Sequence, residues 1–212
     1  MKWKNNFYEY IKKLFVNPTA RVPWLMLGGI LMNCIYIATN VASAVIYHNL
    51  WAGILTVYHL VLIIIRLYLF FSSRFGVDDY AGGRLCFRVG VLLLFLDIAS
   101  ALIMFFSFRH TNYVSYSGLI LLGFLVFTIY SVTRSVIDLK KYRQSENHLY
   151  FTARNISLAT SLMSVFNLQY SVFSLLRAEF LLTGRVTFLC GAVIFSIVFY
   201  LSVRLMRRGS KI

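Results

Sequence analysis

Asp97 and His59 are the two side chains of this sequence best suited to proton chemistry inside a membrane. Asp97 lies in the apolar run 89–108, and His59 lies in the apolar run 49–71. An ionisable group at membrane depth costs roughly 2.5 to 3.5 kcal/mol even on conservative scales, so its presence needs a reason. A buried carboxyl beside an imidazole can exchange protons in the physiological range. The pair therefore predicts a proton-coupled carrier, with Asp97 as the coupling or binding charge.

Two asparagines occupy positions equivalent to that of Asp97. Asn33, Asp97 and Asn167 each follow an arginine by 12 or 13 residues, and these arginines are Arg21, Arg84 and Arg154. At a helical rise of about 1.5 Å per residue, the three polar side chains lie at a similar depth, roughly 16 to 20 Å from the arginines. We predict a central polar layer in which Asp97, His59, Asn33 and Asn167 bind a substrate or ion. The alternative is a neutral Asp97 that hydrogen-bonds Asn33 or Asn167 and only locks the helices together.

The composition favours an all-α membrane fold. Hydrophobic residues make up 59% of the 212 residues and charged residues only 13%, which excludes a soluble globule. Six runs are about as long as the roughly 20 residues that cross a bilayer, and they are about 22–47, 49–71, 89–108, 113–133, 155–176 and 186–203. Residues 22–208 are predicted to form a six-helix transmembrane domain. An amphipathic interfacial segment, residues 1–21, precedes it, and a basic cytoplasmic tail, residues 209–212, follows it.

Polar residues recur at helical spacing along the odd-numbered runs. The stripes are Asn33, Tyr36, Asn40, Ser43 and Tyr47 in the first run, Asp97, Ser100 and Ser107 in the third, and Ser157, Thr160, Ser164, Asn167, Ser171 and Ser174 in the fifth. Steps of three and four place each set on one helix face. Lipid offers these side chains no hydrogen bonds, so each stripe is predicted to face other helices or a wet cavity. A stripe that faces only helices is a packing seam.

The even-numbered runs suggest an internal repeat. Each carries a tyrosine, which is Tyr58, Tyr130 or Tyr200, followed by basic residues. The step from Asp97 to Tyr130 and the step from Asn167 to Tyr200 are both 33 residues, and the first unit is shorter, consistent with a tight loop at residues 47–49. We therefore predict three helical hairpins of common origin around a pseudo-threefold axis.

The basic residues predict the orientation. With the N-terminus inside, all of the 21 lysines and arginines except Arg109, Arg177 and Arg185 lie on the cytoplasmic side. This bias favours a multi-pass protein of the cell membrane with both termini in the cytoplasm. The formal net charge of +14 is then explained by contact with anionic inner-leaflet lipids and does not indicate nucleic-acid binding.

The other charged and reactive residues are interpreted structurally. Arg134 and Asp138 are four residues apart and are expected to pair, whereas Arg66 and Arg204 are expected to snorkel to the inner interface. The three cysteines lack the spacing of a metal or redox site, and no catalytic motif occurs. No metal, cofactor or enzymatic activity is therefore predicted.

A resemblance covers a short part of the chain. Lys140-Lys141-Tyr142-Arg143, together with the stretch 153–159 (Ala-Arg-Asn-Ile-Ser-Leu-Ala), resembles six-span integral membrane proteins of bacteria. This resemblance implies a six-helix membrane fold and no particular activity. The three-hairpin plan is similar to that of mitochondrial carriers, but the proline, acid and base of their signature are missing from the odd-numbered runs.

These features favour a small-solute transporter or a transporter subunit, with a small solute or a proton as its partner. The alternative is a non-transporting scaffold or regulatory subunit of a membrane complex, whose polar seams only hold helices together. A membrane-embedded enzyme is the third reading, because catalysis usually needs more convergent polar groups than one acid and one histidine.

Overall fold

The computed structural model describes residues 18–74, 79–107, 117–141, 148–176 and 180–210, and all regular structure in these residues is helical. The helices are α1 (Pro18–Tyr47), α2 (Leu50–Arg74), α3 (Asp79–Ser107), α4 (Gly118–Lys141), α5 (His148–Leu176) and α6 (Phe180–Gly209). The predicted all-α class is confirmed for this part of the chain. The predicted interfacial helix falls mostly in residues 1–17, which lie outside the described residues, so it stays a prediction.

Five of these helices are long and apolar enough to cross a membrane. The crossing segments are Met26–Tyr47, Trp51–Ser72, Ala81–Phe105, Gly118–Lys140 and Arg185–Gly209. Many of their large apolar side chains are exposed, for example Leu31, Phe95 and Leu119. Such surfaces suit lipid and not water, so the chain is an integral membrane protein. Helix α5 is long enough but not as apolar as these five, so a sixth membrane-spanning helix is not confirmed.

Helix α5 packs against all five other helices. In its described part, Val165 is the one large apolar side chain that is exposed. Polar side chains along its length, among them Thr160, Ser164 and Asn167, are buried. A helix enclosed by other helices needs no lipid-facing apolar surface, which explains why α5 is more polar than its neighbours.

The helices do not pair in the way that the predicted repeat requires. The most extensive contacts join α3 to α6, α1 to α2 and α4 to α5. Within the described residues, α3 and α4 make no contact, although they follow each other in the chain. Three packed sequential hairpins are therefore not observed, and the repeat is not confirmed.

Glycines allow the close approach of α3 and α6. A Cβ atom on Gly90 of α3 would lie 2.8 Å from the side chain and 2.9 Å from the backbone nitrogen of Met206. A Cβ atom on Gly209 of α6 would lie 2.6 Å from the carbonyl oxygen of Gly83. Small residues at such positions let membrane helices pack backbone against backbone.

The turn between α1 and α2 is as tight as the sequence predicts. Helix α1 ends at Tyr47 and α2 begins at Leu50. His48 adopts a left-handed backbone conformation with φ of 48°. The Asn49 side-chain oxygen accepts a hydrogen bond of 3.0 Å from the Trp51 backbone N–H, which caps the N-terminus of α2.

Several helices extend beyond the predicted apolar runs. Helix α3 begins at Asp79 and not near residue 89, and α5 begins at His148 and not at residue 155. Hydropathy locates only the part of a helix inside the hydrocarbon core. The added turns carry arginines and glycines that suit the interfacial region.

The close packing of α3 on α6 can be tested by comparing Gly90→Ala with Gly53→Ala. We expect Gly90→Ala to reduce stability by about 1 to 3 kcal/mol, because the added methyl group overlaps Met206. No atom lies within 4 Å of the Cβ position at Gly53, so alanine there should raise stability by about 0.5 to 1 kcal/mol. The measurement is thermal unfolding in detergent, and equal midpoints for the two variants would contradict the observed packing.

Candidate functional site

The predicted polar stripes face the interior of the bundle. Asn33, Tyr36, Asn40 and Ser43 of α1 are all buried. The same holds for Asp97 and Ser100 of α3 and for Thr160, Ser164, Asn167 and Ser171 of α5. The prediction is confirmed for these residues, whereas Tyr47 and Ser157 are half-buried and the side chains of Ser107 and Ser174 lie outside the described ones. Burial alone does not distinguish a packing seam from a binding site, so the contacts of these residues decide between them.

Tyr36 lies where α1, α2, α4 and α5 meet. Nδ2 of Asn167 donates a hydrogen bond of 2.6 Å to the Tyr36 hydroxyl, which joins α5 to α1. The Tyr36 ring stacks on Phe127 of α4 with centroids 4.0 Å apart, and it lies 4.4 Å from the His59 ring of α2. One side chain thus connects four helices and contacts two of the four predicted site residues.

His59 is fixed within this cluster. Its Nδ1 lies 2.8 Å from the Leu55 carbonyl oxygen. Because a carbonyl oxygen only accepts, Nδ1 carries the proton and donates it to this bond. Nε2 is buried and has no hydrogen-bond partner among the described residues. His59 therefore faces inward, as the prediction requires, with its free nitrogen inside the protein.

Asp97 lies apart from this cluster. It is 3% exposed, and its Oδ1 has no hydrogen-bond partner in the described part of the chain. Its charge acts on Tyr58, whose hydroxyl is likewise buried without a partner there. No ion pair between Asp97 and His59 is found among the described side chains, and the charge that acts on His59 is that of Arg66. The Tyr58 ring in turn lies edge-on to the His59 ring, with centroids 5.5 Å apart, so Tyr58 lies between Asp97 and the aromatic cluster.

A polar cavity opens between α1, α2, α4 and α5. Its empty volume is about 320 Å³ including its open mouth. The lining residues are Gly29, Met32, Asn33, Arg66, Phe127, Tyr130, Ser131, Arg134, Ser157 and Thr160. Of the four predicted site residues, Asn33 lines this cavity, whereas Asp97, His59 and Asn167 do not. The four predicted site residues therefore have different surroundings, and they do not line one common binding site.

Arg66 is the principal charge of the cavity. It is 9% exposed, and its Nη2 donates a hydrogen bond of 3.0 Å to Oγ1 of Thr160 on α5. The prediction that Arg66 snorkels to the interface is wrong, because the side chain turns inward. Gly29 explains how the guanidinium fits, since a Cβ atom there would collide with Nη1.

Asn33 adds an unused hydrogen-bond donor. It is 1% exposed, and its Nδ2 is buried without a hydrogen-bond partner among the described residues. A buried amide without a partner costs free energy, so it usually marks a strained or functional position. Because Asn33 lines the cavity, a bound molecule there can satisfy this donor.

A second arginine lies at the rim of the cavity. Arg134 and Asp138 on α4 form the predicted pair, with Nε and Oδ2 3.7 Å apart, so that prediction is confirmed. Both charges also act on Arg66. The described part of the site therefore holds two guanidinium groups near one carboxylate.

The sequence contained a signal for Arg66 that the hydropathy argument missed. Arg66 follows three isoleucines and precedes the C-terminal end of α2 by 8 residues, which is about 12 Å of helix. A glycine in the facing helix makes room for an inward-turned arginine, and Gly28-Gly29 of α1 provides it. No sequence pattern indicates that these two positions face each other, because that depends on how α1 packs on α2.

No family model matches the chain, and no curated protein or solved structure is detectably similar to it. The geometry of the cavity and of the polar cluster beside it is therefore the basis for a function.

The connection between α1 and α5 can be tested with Tyr36→Phe. We expect a loss of about 0.5 to 2 kcal/mol, because the buried Asn167 amide loses its acceptor while the aromatic packing is kept. Tyr200→Phe is the control, since Tyr200 is exposed on α6. Chemical unfolding in mixed micelles measures both variants, and a Tyr36→Phe variant as stable as the control would show that this hydrogen bond does not hold the helices together.

Proposed function

We propose that this protein is a small-solute transporter or the solute-binding subunit of one. The observation that supports this proposal is the polar cavity within the apolar bundle, with the Asn33 amide buried at its wall and lacking a partner among the described residues. Polar groups inside a membrane are costly unless they serve a pathway or a bound molecule. The space that the protein encloses is only about 20 Å³, room for one or two water molecules, so a larger solute extends into the open mouth of the cavity.

Asp97 and His59 supply the proton-coupling element of this proposal. An ionised carboxylate among apolar groups costs several kcal/mol unless a proton or another partner accompanies it. The Tyr58 hydroxyl is the polar neighbour on which the Asp97 charge acts. Because Tyr58 and His59 are consecutive on α2, a shift of this helix affects both the Asp97 side and the Tyr36 side of the bundle.

The alternative, a non-transporting scaffold, is favoured by a different observation. Asp97, His59 and Asn167 are each at most 3% exposed, and none of them lines the cavity. Such residues can hold helices together without any solute. The two proposals differ in whether water reaches the cavity from both sides of the membrane.

Both termini are proposed to lie in the cytoplasm of a bacterial cell. Most of the described basic residues lie at the end of the bundle where α1, α3 and α5 begin, and they are Arg21, Arg74, Arg84, Arg88, Arg134, Lys140, Lys141, Arg154, Arg204, Arg207 and Arg208. Arg185 is the described basic residue at the other end. A basic end of this kind suits the anionic inner leaflet.

Thiol labelling tests whether the cavity belongs to a transport path. Cys34, Cys86 and Cys190 are first replaced by alanine, and Ser157→Cys then reports on the cavity wall. We expect a membrane-impermeant thiol reagent to label this cysteine in both right-side-out and inside-out vesicles, because a carrier opens to each side in turn. Ser196→Cys is the control, since Ser196 is exposed on the outer face of α6 and should react poorly in lipid.

Labelling from one side only, or equal labelling of both cysteines, would argue against a carrier and for the scaffold. Folding of each variant is checked by its elution as a single species in detergent.

Asp97→Asn tests the proton-coupling role, because it keeps the shape of the side chain and removes its charge. Because the thiolate is the reactive form, the labelling rate of Ser157→Cys is divided by that of a free thiol at each pH. We expect this ratio to depend on pH when Asp97 is present, and asparagine should abolish that dependence without preventing folding. If the pH dependence is the same in both proteins, Asp97 has a structural role only.

A further inference from the structure

We propose that the cavity selects a small oxyanion, such as a carboxylate or a phosphate, with Arg66 as its principal ligand. This inference rests on the proposed function in that it takes the cavity to be the solute site. It adds the charge and the chemical class of the solute, which the proposed function leaves open.

The charges around the cavity favour an anion. Arg66 is a permanent cation, and within the described residues no carboxylate lies within 4.0 Å of its guanidinium. Tyr130 and Asp138 are the acidic groups beside Arg66, and Asp138 already pairs with Arg134. A ligand with one negative charge balances the excess, whereas a cationic ligand increases it. A neutral ligand leaves Arg66 without a counterion in a region of low dielectric constant.

The neutral groups of the cavity wall can also donate to a ligand. Asn33 contributes an amide N–H that lacks a partner among the described residues, and Tyr130, Ser131 and Ser157 contribute hydroxyl groups, which can donate or accept. None of the described lining residues is Asp or Glu. The side chains that only donate, or can do so, are complementary to a ligand rich in acceptors. An oxyanion presents two or more charged oxygen atoms and meets this requirement.

The guanidinium is held in place before any ligand binds. The Thr160 hydroxyl donates to the Ile156 carbonyl oxygen at 2.8 Å, so its oxygen remains available to accept from Nη2 of Arg66 at 3.0 Å. On the opposite side, the absence of a side chain at Gly29 makes room for Nη1. This is the one hydrogen bond that Arg66 makes in the described part of the chain, and a guanidinium has five N–H donors. The remaining donors of a fixed guanidinium form a planar fork that matches two oxygens of an oxyanion.

The experiment is protection of Ser157→Cys against labelling by added ions. The cysteine variant in nanodiscs is labelled in the presence of acetate, phosphate, chloride, or glycerol at constant ionic strength. We expect acetate or phosphate to slow labelling in a saturable way, and chloride and glycerol to have little effect. Nanodiscs of phosphatidylcholine are compared with nanodiscs containing phosphatidylglycerol, and protection by phosphatidylglycerol alone identifies the phosphate as that of a lipid headgroup.

Three variants identify the ligand residue. Arg66→Gln should raise the half-protecting concentration about tenfold or more, as expected for the loss of a charged hydrogen bond. Gly29→Ala should have a similar effect without changing any charge, because it displaces the guanidinium. Arg185→Gln is the matched control, since Arg185 is exposed at the opposite end of the bundle and should behave like the parent protein. Thermal unfolding with the same ions gives a second readout that does not depend on the cysteine.

The outcomes separate this inference from the proposed function. If the cysteine is labelled from both sides but no oxyanion protects it or raises the unfolding temperature, the oxyanion proposal is wrong. The proposal that the protein is a carrier then still stands. Protection by acetate or phosphate with labelling from one side only supports the oxyanion site and overturns the carrier. Protection that is unchanged in both Arg66→Gln and Gly29→Ala overturns the assignment to Arg66.

Discussion

The absence of hydrogen-bonding partners in lipid is the constraint on which this structure depends. A polar side chain in the apolar region has to face another helix or bond to its own, as Ser196 does to the Ala192 carbonyl oxygen. Helix α5 takes the first course furthest, because it packs against all five other helices. The bond from Asn167 to the Tyr36 hydroxyl shows how the constraint is met, because two polar groups from opposite stripes satisfy each other at the centre of the bundle. Other buried polar atoms lack a hydrogen-bond partner among the described residues, and Nδ2 of Asn33 is the one of these that lines the cavity.

The polar interior has two parts with different chemistry. Arg66 and Asn33 lie in the wall of the open cavity. The Tyr58 hydroxyl of α2 and Oδ1 of Asp97 on α3 are buried away from this cavity, without a hydrogen-bond partner among the described residues. The His59 ring lies 5.5 Å from the Tyr58 ring and 4.4 Å from the Tyr36 ring. The buried cation and the buried acid are therefore in different surroundings.

Residue spacing predicted the features that depend on one helix alone. The all-α class, the inward stripes of α1, α3 and α5, and the pair of Arg134 with Asp138 all follow from periodicity along a single element. The features that depend on two helices were not predictable in this way. Hydropathy places Arg66 near the interface, and only the packing of α2 on Gly29 and Thr160 turns it inward. Likewise, the pairing of α3 with α6 depends on the shapes of two distant surfaces.

The contact between α3 and α6 also bears on how the protein is assembled. Helix α3 is synthesised before α4 and α5, but its most extensive partner is α6, which follows both of them in the chain. Until α6 is synthesised, the face of α3 at Gly83 and Gly90 lacks the helix that packs against it. The contact between α3 and α6 therefore forms only after two further helices have entered the membrane.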